Sequence, residues 1–176
     1  MNEYYFFLHT SILIAFILIA ARFGKIALSL LSTLFFLLAN LFVTKQIELF
    51  SFTVTASDAY TIGGIFALNL LQEHFGKEEA KKQTVQGSFI LLAFALLSQI
   101  HLLYIPSSFD TVHHSFYQIL ATTPRIFLSS FVILFIMQRL DVELFSRLRK
   151  HLPLPFTMII SAAVCQFIDT AAFSYF

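Results

Sequence analysis

The sequence predicts an all-α fold, a polytopic transmembrane helix bundle of about six spanning helices with its N-terminus outside. Three observations carry this. Of the 176 residues, 58% are hydrophobic and 12% charged, against about 45–50% and about 25% in a soluble domain. Apolar runs of about 20 residues, the length that crosses the hydrocarbon, recur along the whole chain. The basic residues segregate between alternate loops. Strand-like alternation is absent, which argues against a barrel.

The expected spans are roughly 4–21, 26–44, 56–74, 85–104, 122–140 and 153–175, in a single integral membrane domain covering 1–176. The first run follows Asn2 and Glu3 with no Lys or Arg before it, whereas Arg22 and Lys25 come after it. It lacks the basic start of a cleavable signal peptide and reads as an uncleaved helix. In the second span, Ser29, Thr33, Asn40 and Thr44 line one side, and Lys45 snorkels to the outer interface. The third, SDAYTIGGIFALNLLQEHFG, is the most polar and carries Gly63-Gly64, so it is placed inside the bundle, with Asp58 as its N-cap. The loop 105–121 falls outside, its aromatics at headgroup level. The fifth span has Arg125 at its outer end and Gln138 and Asp141 at its inner end. With the N-terminus outside, the inner loops hold Arg22, Lys25, Lys77, Lys81, Lys82, Arg139, Arg147, Arg149 and Lys150, nine of the eleven basic residues. This is the asymmetry of the positive-inside rule.

Several classes are excluded. The single cysteine, Cys165, permits no intrachain disulfide and no multi-cysteine metal site, and reads as a small core or helix-contact residue. The six histidines show no metal-ligand spacing. There is no G-x-S-x-G, H-E-x-x-H or P-loop, so no enzyme, cofactor or metal is expected. Transport would draw on a gradient, simple equilibration or a separate ATPase. No basic stripe points to nucleic acid as a direct partner.

Polar groups at membrane depth usually face the protein interior and are functional candidates by default. In the sixth span Ala162, Gln166, Asp169 and Phe173 share a helical face, with Thr170 beside them. A carboxylate, an amide and a hydroxyl among aromatic rings suit a flat polar molecule, although a helix-packing network has the same composition. In the third span Asp58, Ile65, Asn69 and Glu73 form a second stripe flanked by Gln72. Glu73 reads either as a site carboxylate or as an interfacial partner of Lys77 or a similar neighbour. Asn40 is either a site residue or a helix-to-helix hydrogen bonder. Asp141 is either a site residue or a solvated partner of Arg139 or another base.

Four stretches then line up with a known pattern. They are AN at 39–40 with Lys45 close behind, NLLQEHFGKEEAKK at 69–82, QRLDVELFSRLRK at 138–150 and SAAVCQFIDTAAF at 161–173. In this order and spacing, from about residue 33 onward, the chain resembles the queuosine precursor transporter family, also called the vitamin uptake transporter family. Its motifs read D-x-x-x-E-x-[YF]-G, Q-x-x-D-V-x-x-F-x-x-L and S-x-x-x-x-[QN]-x-x-D-T-x-x-F. The resemblance implies import of 7-deazaguanine compounds, the precursor bases of queuosine or queuine itself, for tRNA modification. It implies substrate-path roles for Asn40, Asn69, Glu73, Gln138, Asp141, Ser161, Gln166, Asp169 and Thr170. Asn69 stands where the family usually has Asp. Family members also continue with one more spanning helix, so the domain is expected to lack a final helix.

The expected partners are a small purine-like solute, the lipid bilayer, and either a further copy of the chain or a partner subunit. The expected location is the bacterial cytoplasmic (inner) membrane. Two alternatives stay open: a substrate-binding membrane subunit that needs a separate energising module, and a truncated, non-transporting membrane protein.

Overall fold

The computed structural model describes the backbone of residues 1–121 and 124–173, and the side chains of these residues other than 124–131, 169, 170, 172 and 173. The helices are α1 (Asn2–Phe23), α2 (Lys25–Phe42), α3 (Asp58–Phe75), α4 (Lys77–Leu102), α5 (His113–Leu120), α6 (Pro124–Leu148) and α7 (Leu154–Phe173). A hairpin of β1 (Gln46–Leu49) and β2 (Phe52–Thr55) joins α2 to α3. The architecture is an all-α bundle carrying one small hairpin.

Single glycines separate consecutive helices. Gly24 between α1 and α2 has φ 96°, and Gly76 between α3 and α4 has φ 90°. A side chain rarely tolerates this left-handed region, and Gly reverses the chain there in one residue.

The central helix is α3. It packs against α1, α2, α4, α6 and α7, and Gly63, Gly64, Ile65, Ala67, Leu68, Asn69, Leu71 and Gln72 are buried. The expected interior position of this most polar span is therefore met. Its glycines give α2 close access: a Cβ on Gly64 would lie 2.9 Å from Phe36 Cζ. Ser32 donates to the Gly64 carbonyl at 3.1 Å. One apolar cluster joins Leu13 and Ile17 of α1, Leu28 and Phe35 of α2, and Leu68 of α3. A second joins Phe36, Ile65, Leu91, Met137, Ala162 and Cys165. The outer surface is apolar as well, with Phe16, Leu30, Phe89 and Leu97 exposed. A surface of this kind is covered by lipid, not water. Among the described residues, α1, α2 and α4 are long and apolar enough to cross a membrane.

The two ends of the bundle differ. At one end Asn2 donates to the Glu48 carbonyl at 2.9 Å, and the Phe50 N–H donates to Glu3 at 3.3 Å. The chain start and the hairpin therefore lie together. At the other end, ion pairs join Lys25 to Glu79, Lys77 to Glu143, and Arg149 to Glu73. These are the basic loops that the sequence assigns to one side.

Several boundaries differ from expectation. The fourth span starts at Lys77, not near 85, and the helix of the fifth span, α6, continues to Leu148. The hairpin and α5 were not expected. Asp58 is not the N-cap. Ser57 holds that position without a side-chain cap bond, and Asp58 instead accepts from the Thr55 hydroxyl at 2.7 Å.

Candidate functional site

Polar groups concentrate in the interior where α3, α6 and α7 meet. Asn69 and Gln72 stand one turn apart on α3, Gln138 and Asp141 one turn apart on α6, and Ser161 and Cys165 one turn apart on α7. Asn69, Asp141 and Ser161 are each 0% exposed, and Gln72, Gln138 and Cys165 are also buried. A carboxylate at this depth is costly unless partners hold it.

Its partners come from α7 and α3. The Ser161 hydroxyl donates to Asp141 Oδ1, and Cys165 Sγ lies 3.8 Å from the same oxygen. Asn69 approaches this carboxylate from α3, but neither its nitrogen nor its oxygen reaches hydrogen-bond geometry with a partner. Gln72 crosses to α6, its Nε2 donating to the Val142 carbonyl at 2.9 Å and to Ser146 Oγ at 2.6 Å. Asp141 is therefore no solvated partner of Arg139, whose guanidinium lies over the Phe135 ring.

The seam is incompletely satisfied. Among the described residues, both polar atoms of Asn69, Gln72 Oε1, Gln138 Nε2 and Asp141 Oδ2 are buried with no hydrogen-bond partner. Native interiors leave few such atoms, because each costs roughly 1–3 kcal/mol. Several of them gather here on two helices in contact, α3 and α6.

Two clefts flank the seam. One, of about 420 Å³, is lined by Ile62, Ile159, Ala162, Ala163, Gln166 and Phe167. The other, of about 240 Å³, lies at the charged end and is lined by Gln72, Glu73, Lys77, Phe145, Ser146, Arg149 and Lys150. Buried Phe145 is one turn beyond Asp141, so this cleft reaches to within a turn of the carboxylate.

The sequence-expected residues thus divide. Asn69, Gln138, Asp141 and Ser161 share the seam. Glu73 lies one turn further along α3, and Arg149 Nε and Nη2 donate three hydrogen bonds to its carboxylate, at 2.8–3.1 Å. Its partner is Arg149 and not Lys77, which pairs with Glu143. Asn40 donates to the Phe36 carbonyl of its own helix at 2.9 Å. Gln166 is half-buried on the larger cleft. The side chains of Asp169 and Thr170, like that of Arg125, lie outside the described residues.

Sequence reasoning missed the polar face of α4. Gln83 is buried and donates to the Ser29 carbonyl at 2.7 Å and to Thr33 Oγ1 at 2.8 Å. Ala80, Thr84, Gly87, Ser88, Leu91 and Ala95, all buried, continue that face. Their three- and four-residue spacing was the available signal.

Residues 55–176 match the family described as "Putative vitamin uptake transporter". The chain is 30% identical over 177 residues to the "Probable queuosine precursor transporter" of Bacillus subtilis (strain 168), an alignment covering 98% of this chain and 77% of that protein. No solved structure matches.

Proposed function

The chain belongs to the vitamin uptake transporter family, and from that membership we propose that it imports queuosine precursors, 7-deazaguanine bases or queuine, to supply tRNA modification. It is an integral membrane protein of a transporter family. Its medium is the bilayer, and its cargo is a small molecule. The bacterial cytoplasmic membrane is the location that fits this role. Six spans with the N-terminus outside suit the charge asymmetry of the loops.

The observation that carries the reading is the buried α3–α6–α7 seam. An apolar bundle keeps a carboxylate, three amides and a hydroxyl at its centre, with several of their atoms unpartnered among the described residues. A planar base rich in N–H groups supplies what those atoms lack. Asn69, Gln138, Asp141 and Ser161 are assigned to the substrate. Asn40, Glu73, Gln166, Asp169 and Thr170 are assigned to the path around it. No chemical conversion is assigned to the chain.

Functional rescue tests this. The chain is expressed in bacteria lacking both queuosine synthesis and their own importer. Each deazaguanine is fed at low concentration to hosts able to use it, and queuosine in tRNA is measured. Restored queuosine is expected. Its absence, with membrane insertion verified, would remove the reading.

A further inference from the structure

The unpartnered atoms of the seam form a donor and acceptor set specific enough to name the edge they read. Among the described residues, the seam oxygens that lack a donor are Asp141 Oδ2, Asn69 Oδ1 and Gln72 Oε1, and the amide nitrogens that lack an acceptor are Asn69 Nδ2 and Gln138 Nε2. Asn69 and Gln72 stand one turn apart on α3, Gln138 and Asp141 one turn apart on α6, and all four side chains are buried. Two of these side chains have their other polar atom engaged in the fold. Asp141 Oδ1 is held by Ser161, and Gln72 Nε2 by Val142 and Ser146. The carboxylate and Gln72 are thereby fixed in orientation, each with one oxygen left over.

We propose that this seam reads the amino-oxo pyrimidine edge of a guanine-type base, with Asp141 as the selectivity residue. That edge presents a ring N–H, two amino hydrogens and one carbonyl oxygen. The three oxygens of the seam take the three N–H groups, and the two amide nitrogens donate to the two lone pairs of the carbonyl. An adenine-type edge has no carbonyl and leaves both amide nitrogens facing a single ring nitrogen. A hypoxanthine-type edge keeps the carbonyl and ring N–H but lacks the amine, which leaves buried oxygens unpaired. Sites built on buried polar groups discriminate strongly for this reason. The assignment rests on the transport reading and specifies which part of the substrate the protein recognises.

The test uses the whole chain in lipid nanodiscs and direct binding of three probes: 7-deazaguanine, 7-deazahypoxanthine and 7-deazaadenine. Wild type is expected to bind 7-deazaguanine at least about tenfold more tightly than 7-deazahypoxanthine, and 7-deazaadenine more weakly still. Asp141→Asn keeps the side-chain shape but turns an amide N–H toward the ligand's own N–H groups. It should collapse the preference for 7-deazaguanine over 7-deazahypoxanthine. Gln138→Leu should weaken both carbonyl-bearing probes by a similar factor and leave their ratio unchanged. A generally loosened bundle would not separate the two variants in this way.

Equal wild-type affinity for the first two probes overturns the proposal, as does an unchanged ratio in Asp141→Asn. In either case import of queuosine precursors stands on the rescue assay. If Asp141→Asn does not fold, the wild-type ranking alone decides. If wild type binds none of the probes and the rescue also fails, the proposal and the transport reading fall together.

Discussion

Glu73 and Arg149 form a forked ion pair that fastens the end of α3 to the chain just beyond α6, with Arg149 Nε 2.9 Å from Oε2 and Nη2 2.8 Å from Oε1. A planar guanidinium matches a carboxylate in this way, and a lysine does not. The pair stands at the mouth of the charged cleft, one turn from Asn69. It still meets solvent, with the Glu73 side chain 23% exposed and that of Arg149 39%. Water therefore screens much of its attraction. A double-mutant cycle with Glu73→Gln and Arg149→Gln, read by thermal unfolding in detergent, is expected to give a coupling of about 0.2–1 kcal/mol. A coupling of several kcal/mol would mean that the pair is sealed from water.

The Gln83 bridge should matter more than that ion pair. Its amide nitrogen joins α4 to α2 at both the Ser29 carbonyl and Thr33 Oγ1, and the residue is buried. Gln83→Leu keeps much of the volume but takes the amide donor from buried Thr33 Oγ1, and from the Ser29 carbonyl, which keeps the Thr33 hydroxyl as a donor. Unsatisfied buried groups cost about 1–3 kcal/mol. The variant should unfold at lower temperature than either Glu73→Gln or Arg149→Gln. Thr33→Val at the other end of the bridge should act in the same direction and less than additively, since the two residues share one bond.

A pH effect is expected at the start of α5. Asp110 Oδ1 accepts from the backbone N–H groups of Val112 and His113 at 2.8 and 2.9 Å. These bonds favour the charged form and hold its pKa below the ordinary 3.8. The sign follows from linkage: a depressed carboxylate pKa contributes order above the unfolded value, and that order is lost as pH falls through the folded one. Amide exchange at Val112 and His113, taken relative to the intrinsic rate at each pH, should stay slow at neutral pH and quicken only below about the ordinary Asp value. Asp110→Asn keeps an acceptor oxygen without the charge and should flatten this profile. Quickening that begins well above the ordinary value would contradict the assignment.

What the sequence disclosed depended on how much of the signal was local. The apolar runs, the interior place of the polar third span and the gathering of basic loops at one end follow from composition along each helix. The Asn69–Glu73 stripe was visible because both residues lie on one helix. The contact between Asp141 and Ser161 was not, since no spacing rule states that positions on two different helices will touch. Only the family resemblance put both on the substrate path. Cys165 read as a packing residue, yet its sulfur faces the Asp141 carboxylate. The hairpin escaped notice because its strands have four residues each. Its turn at Phe50-Ser51, both at positive φ, lacks the Gly or Asn that marks such turns. Gln83 was overlooked because its surroundings, KEEAKKQTV, look like an exposed charged loop, whereas α4 starts there and buries one face of it.

The closeness of α2 and α3 makes the last prediction. A Cβ on Gly64 would come within 2.9–3.1 Å of three atoms of the Phe36 ring, and one on Gly63 within 3.1 Å of Phe35. Real Cβ atoms are not found under 3.0 Å from such neighbours, so at Gly64 the ring or the helix must shift. Phe36 is buried between Ile65, Leu91 and Met137 in one apolar cluster, and a planar ring so enclosed has little freedom to yield. Overpacking of this kind costs typically 1–3 kcal/mol, which outweighs the roughly 1 kcal/mol that Ala gains over Gly in a helix interior. Gly64→Ala should therefore lower the unfolding temperature, and Gly63→Ala should lower it less. Phe36→Leu alone also destabilises, by opening space. Combined with Gly64→Ala it should recover stability relative to either single change, a coupling of favourable sign between two residues on different helices. If the two losses merely add, the ring and the glycine do not face each other as described. The seam offers a second reading of the same variants. Asn69 stands five residues beyond Gly64 on α3, so a helix pushed away from α2 also displaces Asn69 relative to Asp141. Uptake should then fall in Gly64→Ala and return in the double variant along with stability.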